Sequence, residues 1–444
     1  FAVAEPCEVF AATMNASPAA ITQVVSAARE KRCYNVESHV NHGCTDVHQP
    51  IVTDAALRRD LLPQVGLGIK GFLFWQYRPE VLGCEAPAWG LVRLDGADRP
   101  VTHAARGFWE AIRPHAEALL EARPARPQVA IWKSRKNEIF HFCTQNTVQT
   151  LNAAIEAYTQ ALYWRSVPFT YINDAMLADG ALDGIRLLIM PCCYYLTQPE
   201  IDALDRWVRA GGILLNEAHL AGYNGTTGRH SRVLPGGGLA ERWGIHEMES
   251  TSSFHLQLDE QELLAGAMPE DVRKALHQYG TAGGTHYPIR LADGGVAWGA
   301  HRYAELAGAR IVAEGMFNEA PCLASVRVGD GAVFYCGTNF GQAEPGRDGL
   351  HHVLEHTLRL ADVRATADLL SPTDRVHLDL LYRDGRPAFA VVLNRTTEEQ
   401  PVTLNCAGAW RGLFSGAQWR LTPGSVQRIP AEMAELFVIY RGPS

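Results

Sequence analysis

The chain has 444 residues and a mass of 48.8 kDa, too long for one ordinary domain and enough for two or three. Hydrophobic residues make up 47% and charged residues 20%, which supports more than one core and excludes a disordered chain. Lys plus Arg total 40 against 48 Asp plus Glu, a net charge of −8 with no basic cluster, so nucleic acid is excluded as a partner. No apolar run approaches the roughly 18 residues of a membrane span, and the opening Phe1–Pro6 lacks the n-region and h-region of a signal peptide. Ten cysteines without a CxxC pair fit a reduced compartment, and the reading is cytoplasmic, with most thiols acting as small hydrophobes.

In chain order, Cys7–Thr13 reads as a strand and Pro18–Arg32 as a helix with Ile21, Val24, Val25 and Ala28 on one face. Cys33–Ser38 is a second strand, followed by a polar loop and a helix over Thr53–Leu62. Gly71–Tyr77 reads as a fully buried strand and Val101–Ala122 as a long helix. Three βα units in succession imply a parallel sheet. Pro124–Pro127 is a linker, closing a first domain over residues 1–124.

A second domain over residues 125–364 begins with a strand at Gln128–Lys133 and a helix over Gln145–Arg165. Strands follow at Phe169–Ile172, Arg186–Pro191 and Ile213–Asn216, with a helix at Gln198–Arg209 ended by Gly211 and Gly212. This order predicts an open, doubly wound α/β domain. Gly222–Gly238 is a long surface loop, and residues 240–330 read as an irregular extension, before a hairpin at Ser325–Gly337. A third domain, residues 365–444, has short strands at His377–Tyr382, Ala388–Leu393 and Phe437–Tyr440, as in a small antiparallel β-sandwich.

Glu37 closes the strand Cys33–Ser38, and in a parallel barrel the carboxyl ends of strands meet at the active site. Trp75, Gln76, Tyr77 and Arg78 end the next strand at the same face. An indole beside amide and guanidinium groups suits a polyhydroxylated ring, and Glu85, Trp89 and His39 stand in loops that reach the same pocket. The alternative is a strand-terminal Glu and a Trp that fills the barrel. His39, His42, Cys44 and His48 are zinc-ligand types, but their spacing matches no standard site. We read them as polar lining, with no metal and no cofactor. Cys192 and Cys193 follow a strand as an amidase nucleophile would, yet the context Pro191–Tyr195 lacks the flanking glycines of an elbow.

These patterns together resemble the glycoside hydrolase family 42 β-galactosidases. The runs Arg186–Thr197, Leu204–Trp207 and Gly211–Leu214, with Phe317–Thr338, are similar to that family's glutamine amidotransferase-like trimerisation domain. Phe389–Asn394 and Phe437–Tyr440 resemble its small C-terminal β domain, and the first segment resembles the last three units of its (β/α)8 TIM barrel. The resemblance implies that Glu37, within Val36–His39, is the nucleophile and that Trp75–Arg78 matches an aromatic-Gln-Trp-Arg strand with Tyr77 in place of Trp. It implies galactose binding by Glu85, while the accompanying His is replaced by Ala88 or Trp89, and a Trp past the nucleophile is replaced by Thr45. It also implies a homotrimer.

A complete barrel takes about 250 residues, and the family's acid/base Glu and its zinc-binding cysteines belong to the five units that these three do not include. The pairs Asn137–Glu138, Asn216–Glu217 and Asn318–Glu319 lie beyond the barrel segment. The sequence therefore reads as the nucleophile half of a retaining β-galactosidase-type hydrolase, acting on a galactoside or related oligosaccharide. A second polypeptide would complete its barrel. A non-catalytic assembly subunit is the alternative.

Overall fold

The computed structural model describes residues 9–13, 17–29, 31–39, 52–178, 181–252, 286–342, 349–364, 367–369 and 376–440. These fall into two compact units, one of Phe1–Arg126, Gln160–Pro168 and Ala365–Ser444, the other of Pro127–Thr159 and Phe169–Arg364.

In the first unit, strands β1 (Val9–Ala12), β2 (Arg32–Ser38) and β3 (Ile69–Phe74) pair in parallel in that order. Helix α1 (Pro18–Ala28) joins β1 to β2, and α2 (Asp54–Gly66) precedes β3. Each starts at a hydroxyl cap: Ser17 Oγ accepts from Ala20 N and Thr53 Oγ1 from Ala56 N, both at 3.2 Å. Helix α3 (Pro100–Ile112) is shorter than the sequence predicts. Pro114 lacks the N–H that would continue it, so the chain passes through a 3-10 turn before a second helix at Ala116–Glu121.

Leu57 and Leu61 of α2 bury themselves against Val101 and Ala104 of α3. Each is 1% exposed, a gain of about 1.5–3 kcal/mol per side chain. The C-terminal residues of the same unit form two antiparallel sheets. Three strands, Ala367–Leu369, Gln400–Leu404 and Ser425–Ile429, make one. The other has six, running Gln418–Leu421, Gly408–Gly412, Ala434–Tyr440, Arg386–Asn394, Val376–Arg383 and Arg123–Pro124. Val402, Leu404, Trp410, Trp419 and Phe437 fill the space between them as a β-sandwich core. Helix α2 also packs on the larger sheet. Gly66 there lies so close to Asp379 that a Cβ would strike its Oδ2. First and last segments are thus one compact body.

The second unit is built on a nine-stranded sheet. Its parallel half runs Phe169–Ile172, Val129–Trp132, Leu187–Met190, Ile213–Asn216 and Gly331–Cys336. Every residue of Val129–Trp132, Leu187–Met190 and Gly331–Cys336 is buried, as strands covered on both faces require. Helix Gln198–Arg209 matches the sequence reading to the residue and is closed at its start by a Thr197/Glu200 capping box.

Two differences stand out. The segment expected to be irregular carries Tyr287–Leu291, Val296–Gly299, Val312–Phe317 and Ala320–Val328, which continue the sheet in antiparallel fashion; residues 253–285 lie outside the described ones. The helix read from Gln145 starts instead at Gln149, and a separate helix, Arg135–Gln145, precedes it. Asn146 breaks the two with a left-handed φ of 54°.

Candidate functional site

Glu37 stands at the carboxyl end of β2, where β2 and β3 lose register. Between Asn35 and Ser38, β2 advances three residues while β3 advances two, from Phe72 to Phe74. Such a bulge re-aims side chains that strict alternation would fix. The Glu37 carboxylate meets one group on each oxygen: Thr13 Oγ1 donates to Oε2 at 2.9 Å, and His39 Nε2 lies 3.4 Å from Oε1. Its backbone is held too. Glu37 N donates to Asn35 Oδ1 at 3.3 Å, Asn35 Nδ2 to Gln64 Oε1 at 3.0 Å, and Gln64 Nε2 to Asp60 O at 3.1 Å. Asn35 and Gln64 are each 1% exposed, so this amide chain ties β2 to α2 out of reach of water.

The contacts continue outward from His39. Its ring stacks on Trp89 with centroids 4.4 Å apart and planes 27° apart, and Trp89 Nε1 donates to Glu85 Oε2 at 3.0 Å. Glu37, His39, Trp89 and Glu85 therefore form one connected series. Trp89 holds this place with a φ of 64°, uncommon for so large a residue. The strand end Trp75–Tyr77 is fixed through its backbone: Trp75 N donates to Ser38 O, Gln76 N to Trp89 O and Leu91 N to Gln76 O, at 3.1, 2.9 and 2.8 Å. The Trp75–Gln76 peptide is cis.

Trp75 is 42% and Tyr77 66% exposed. Arg78 is exposed beside Gly96, and no contact among the described residues joins it to Glu37. Ser38 Oγ and Gln76 Nε2 are buried without a partner among the described residues. His42, Cys44, His48 and Thr45 lie outside the described residues. Among the described ones, no group of three or more His, Cys, Asp or Glu side chains could hold a metal. Thr13, Asn35 and Gln64 escaped the sequence reading. The same rule that singled out Glu37 points to Thr13, which directly follows β1.

The α/β unit offers a second location to weigh. Its parallel strands follow the flavodoxin-like order, in which ligands bind at the carboxyl ends of the first and third strands. That crevice is filled here by side chains of the protein itself. Cys192 takes the left-handed φ of 44° that an elbow requires, without glycine neighbours. Its carbonyl accepts from Asn137 Nδ2 and faces His141 Nε2, both at 3.1 Å. Its thiol donates to Glu217 Oε2 at 3.3 Å, and Cys192 N donates to the same oxygen at 3.1 Å. Glu217 Oε1 accepts from Gly341 N at 2.7 Å and Tyr158 OH at 3.2 Å.

Cys192, Cys193, Asn339 and Tyr158 have no exposed surface. Burial pushes the Cys192 thiol well above the usual range, and the Glu217 carboxylate adds to the effect. Burial raises Glu217 as well, against the pull of its donors. A nucleophile must be a thiolate within reach of substrate. Cys192 is a buried, protonated thiol.

No protein-family model matches the chain, and no curated protein matches it by sequence. Solved structures do match. The β-galactosidase from Bacillus circulans sp. alkalophilus superposes with a TM-score of 0.75 at 15% identity, covering 95% of this chain and 57% of that enzyme. A catalytic mutant of a GH42 β-galactosidase from G. stearothermophilus gives 0.71 at 13%, with coverages of 96% and 56%. The β-galactosidase of the Antarctic haloarchaeon Halorubrum lacusprofundi gives 0.69 at 16%, with 95% and 55%. The chain has the fold of the matched portion of a family 42 β-galactosidase. It spans little more than half the length of these enzymes, and at such identities the likeness is one of fold. Three parallel strands, an α/β unit and a β-sandwich follow one another in the order the sequence implies. No helix among the described residues is long and apolar enough to cross a membrane.

Proposed function

We propose that this chain carries the nucleophile half of a retaining glycoside hydrolase of β-galactosidase type, acting on terminal β-galactosides or a related glycoside. The observation that carries the reading is the Glu37 carboxylate, at the carboxyl end of a parallel strand and held by Thr13 and His39. Retention needs two carboxyl groups about 5–5.5 Å apart. Glu37 attacks the anomeric carbon and forms a glycosyl ester. A second carboxylic acid, from barrel strands beyond the three described here, protonates the leaving oxygen and then activates water.

The indoles of Trp75 and Trp89 offer apolar faces to the C–H side of a sugar, while Arg78, Glu85 and His39 serve its hydroxyls. A companion segment or second polypeptide completes the barrel, and the α/β unit assembles the chain as a homotrimer. Eight described cysteines are free thiols, in keeping with the cytoplasmic location we propose.

The test is turnover of aryl β-galactosides and α-arabinosides by the natural assembly carrying Glu37→Gln or Glu37→Gly. Glu37→Gln should abolish turnover. Azide added to Glu37→Gly should restore it by taking the place of the missing carboxylate, giving a glycosyl azide of inverted configuration. Full activity in Glu37→Gln overturns the proposal and favours an assembly subunit, in which the parallel sheet is a docking surface.

A further inference from the structure

We propose that Thr13 is a positioning residue that governs the second half of the reaction, release of the sugar from Glu37; the inference rests on the glycosidase reading above. Thr13 directly follows β1, whose Ala12 pairs with Asn35 of β2. This register brings the Thr13 hydroxyl to Glu37 Oε2 at 2.9 Å, while the contact at Oε1, with His39, is longer at 3.4 Å. Asn35 and Gln64 fix the Glu37 backbone from the helix side. The backbone of Glu37 is thus fixed and Oε2 carries the shorter bond, which leaves Oε1, with only the longer His39 contact, as the attacking atom.

The charge of Glu37 changes twice in the cycle. In the first step an Oε1 lone pair bonds to the anomeric carbon as the bond to the aglycone breaks, and the aglycone leaves with the proton of the acid/base. In the second, a water oxygen bonds to that carbon, its proton passes to the acid/base, and the C–Oε1 electron pair returns to Glu37. Oε2 is part of a carboxylate before and after, and an ester carbonyl in between. A hydroxyl bonds a carboxylate about twice as strongly as a neutral acceptor. Thr13 therefore stabilises the carboxylate over the ester, and lowers the barrier to release in particular.

The test uses the natural assembly and 2,4-dinitrophenyl β-galactoside, whose good leaving group makes release rate-limiting, with wild type, Thr13→Val, Thr13→Ser and Glu37→Gln. Loss of one bond to a charged acceptor should lower kcat in Thr13→Val roughly tenfold. The KM should fall with it, so that kcat/KM stays within about twofold. Glycosyl-enzyme should accumulate in the quenched steady state, and Thr13→Ser should restore kcat. A merely structural disturbance of Glu37 lowers kcat/KM as far as kcat, and that result overturns the inference. Wild-type behaviour of Thr13→Val, alongside an inactive Glu37→Gln, overturns it too and leaves the glycosidase reading standing. Full activity of Glu37→Gln removes the glycosidase reading itself.

Discussion

Lys70, at the start of β3, anchors the strand whose far end carries Trp75. Its Nζ donates to the carbonyl oxygens of Leu119, at 2.9 Å, and Ala122. Both carbonyls lie at the end of helix Ala116–Glu121, where the last turn lacks helical donors. Burial, helped by the cations of Arg123 and Arg32, brings the ammonium from 10.5 down to about 8. The unfolded chain then holds the proton up to pH 10.5 while the folded one releases it near 8. Across that window the unfolded state binds more protons, so stability rises with pH. The full 10.5 − 8 drop, at 1.36 kcal/mol per unit, corresponds to about 3 kcal/mol.

Cys33 limits the useful range, because burial pushes its thiol from 9.0 to about 11. That shift makes stability fall with pH above 9. Between pH 8 and 9 the Lys70 contribution alone grows by about 1 kcal/mol. Urea unfolding of wild type and Lys70→Met at pH 8.0, 8.5 and 9.0 reads this as a difference, in which the other titrating groups cancel. The gap between wild type and variant should move in favour of wild type by about 1 kcal/mol over that unit. Parallel curves would refute the reasoning, since they would mean that Lys70 keeps its proton in the fold.

Two further outcomes can be checked with the same protein. Gly66→Ala should destabilise the first unit by about 1–3 kcal/mol in thermal or urea unfolding despite the better helix propensity of Ala, because the added methyl meets the Asp379 carboxylate. Unchanged stability would show that Asp379 can move, although its Oδ2 lies 2.7 Å from His377 Nε2. Iodoacetamide on the native protein should label the exposed Cys84 and Cys143 and spare the buried Cys192 and Cys193. Rapid labelling of Cys192, read by peptide mass, would reopen a thiol-dependent role for the α/β unit.

Much of the fold was legible because local pattern and global burial agree. Ile213–Asn216 and Leu187–Met190 are short apolar runs between turn signals, and all their residues are buried. Glu37 was legible as a carboxylate next to the end of the mixed strand Cys33–Ser38. What escaped depends on tertiary context. The bulge between Asn35 and Ser38 is a property of two strands together, and a period-two reading of one strand cannot show it. Gln64 lies past the helix read over Thr53–Leu62, yet α2 runs on to Gly66 and buries this amide, which pairs with Asn35.

Pro114 is a visible signal for the break after α3 that the single helix read over Val101–Ala122 does not use. The extension past residue 286 was hidden differently. Tyr287–Leu291 does alternate, with Tyr287, Ile289 and Leu291 buried, but Pro288 and the flanking glycines read as loop chemistry. At Cys192 the left-handed backbone needs no glycine neighbours, because its carbonyl accepts from Asn137 Nδ2 and its N–H donates to Glu217 Oε2.

The central claim is that Glu37 forms a bond to the sugar, and a 2-deoxy-2-fluoro-galactosyl fluoride tests it most directly. Fluorine at C2 slows release of the glycosyl-enzyme, so the natural assembly can be inactivated, digested and its labelled peptide sequenced by mass. The account requires a mass increase of one fluorosugar on the peptide that holds Val36–Ser38, located on Glu37. Inactivation with the label on any other residue of this chain, or on a companion polypeptide alone, would contradict it.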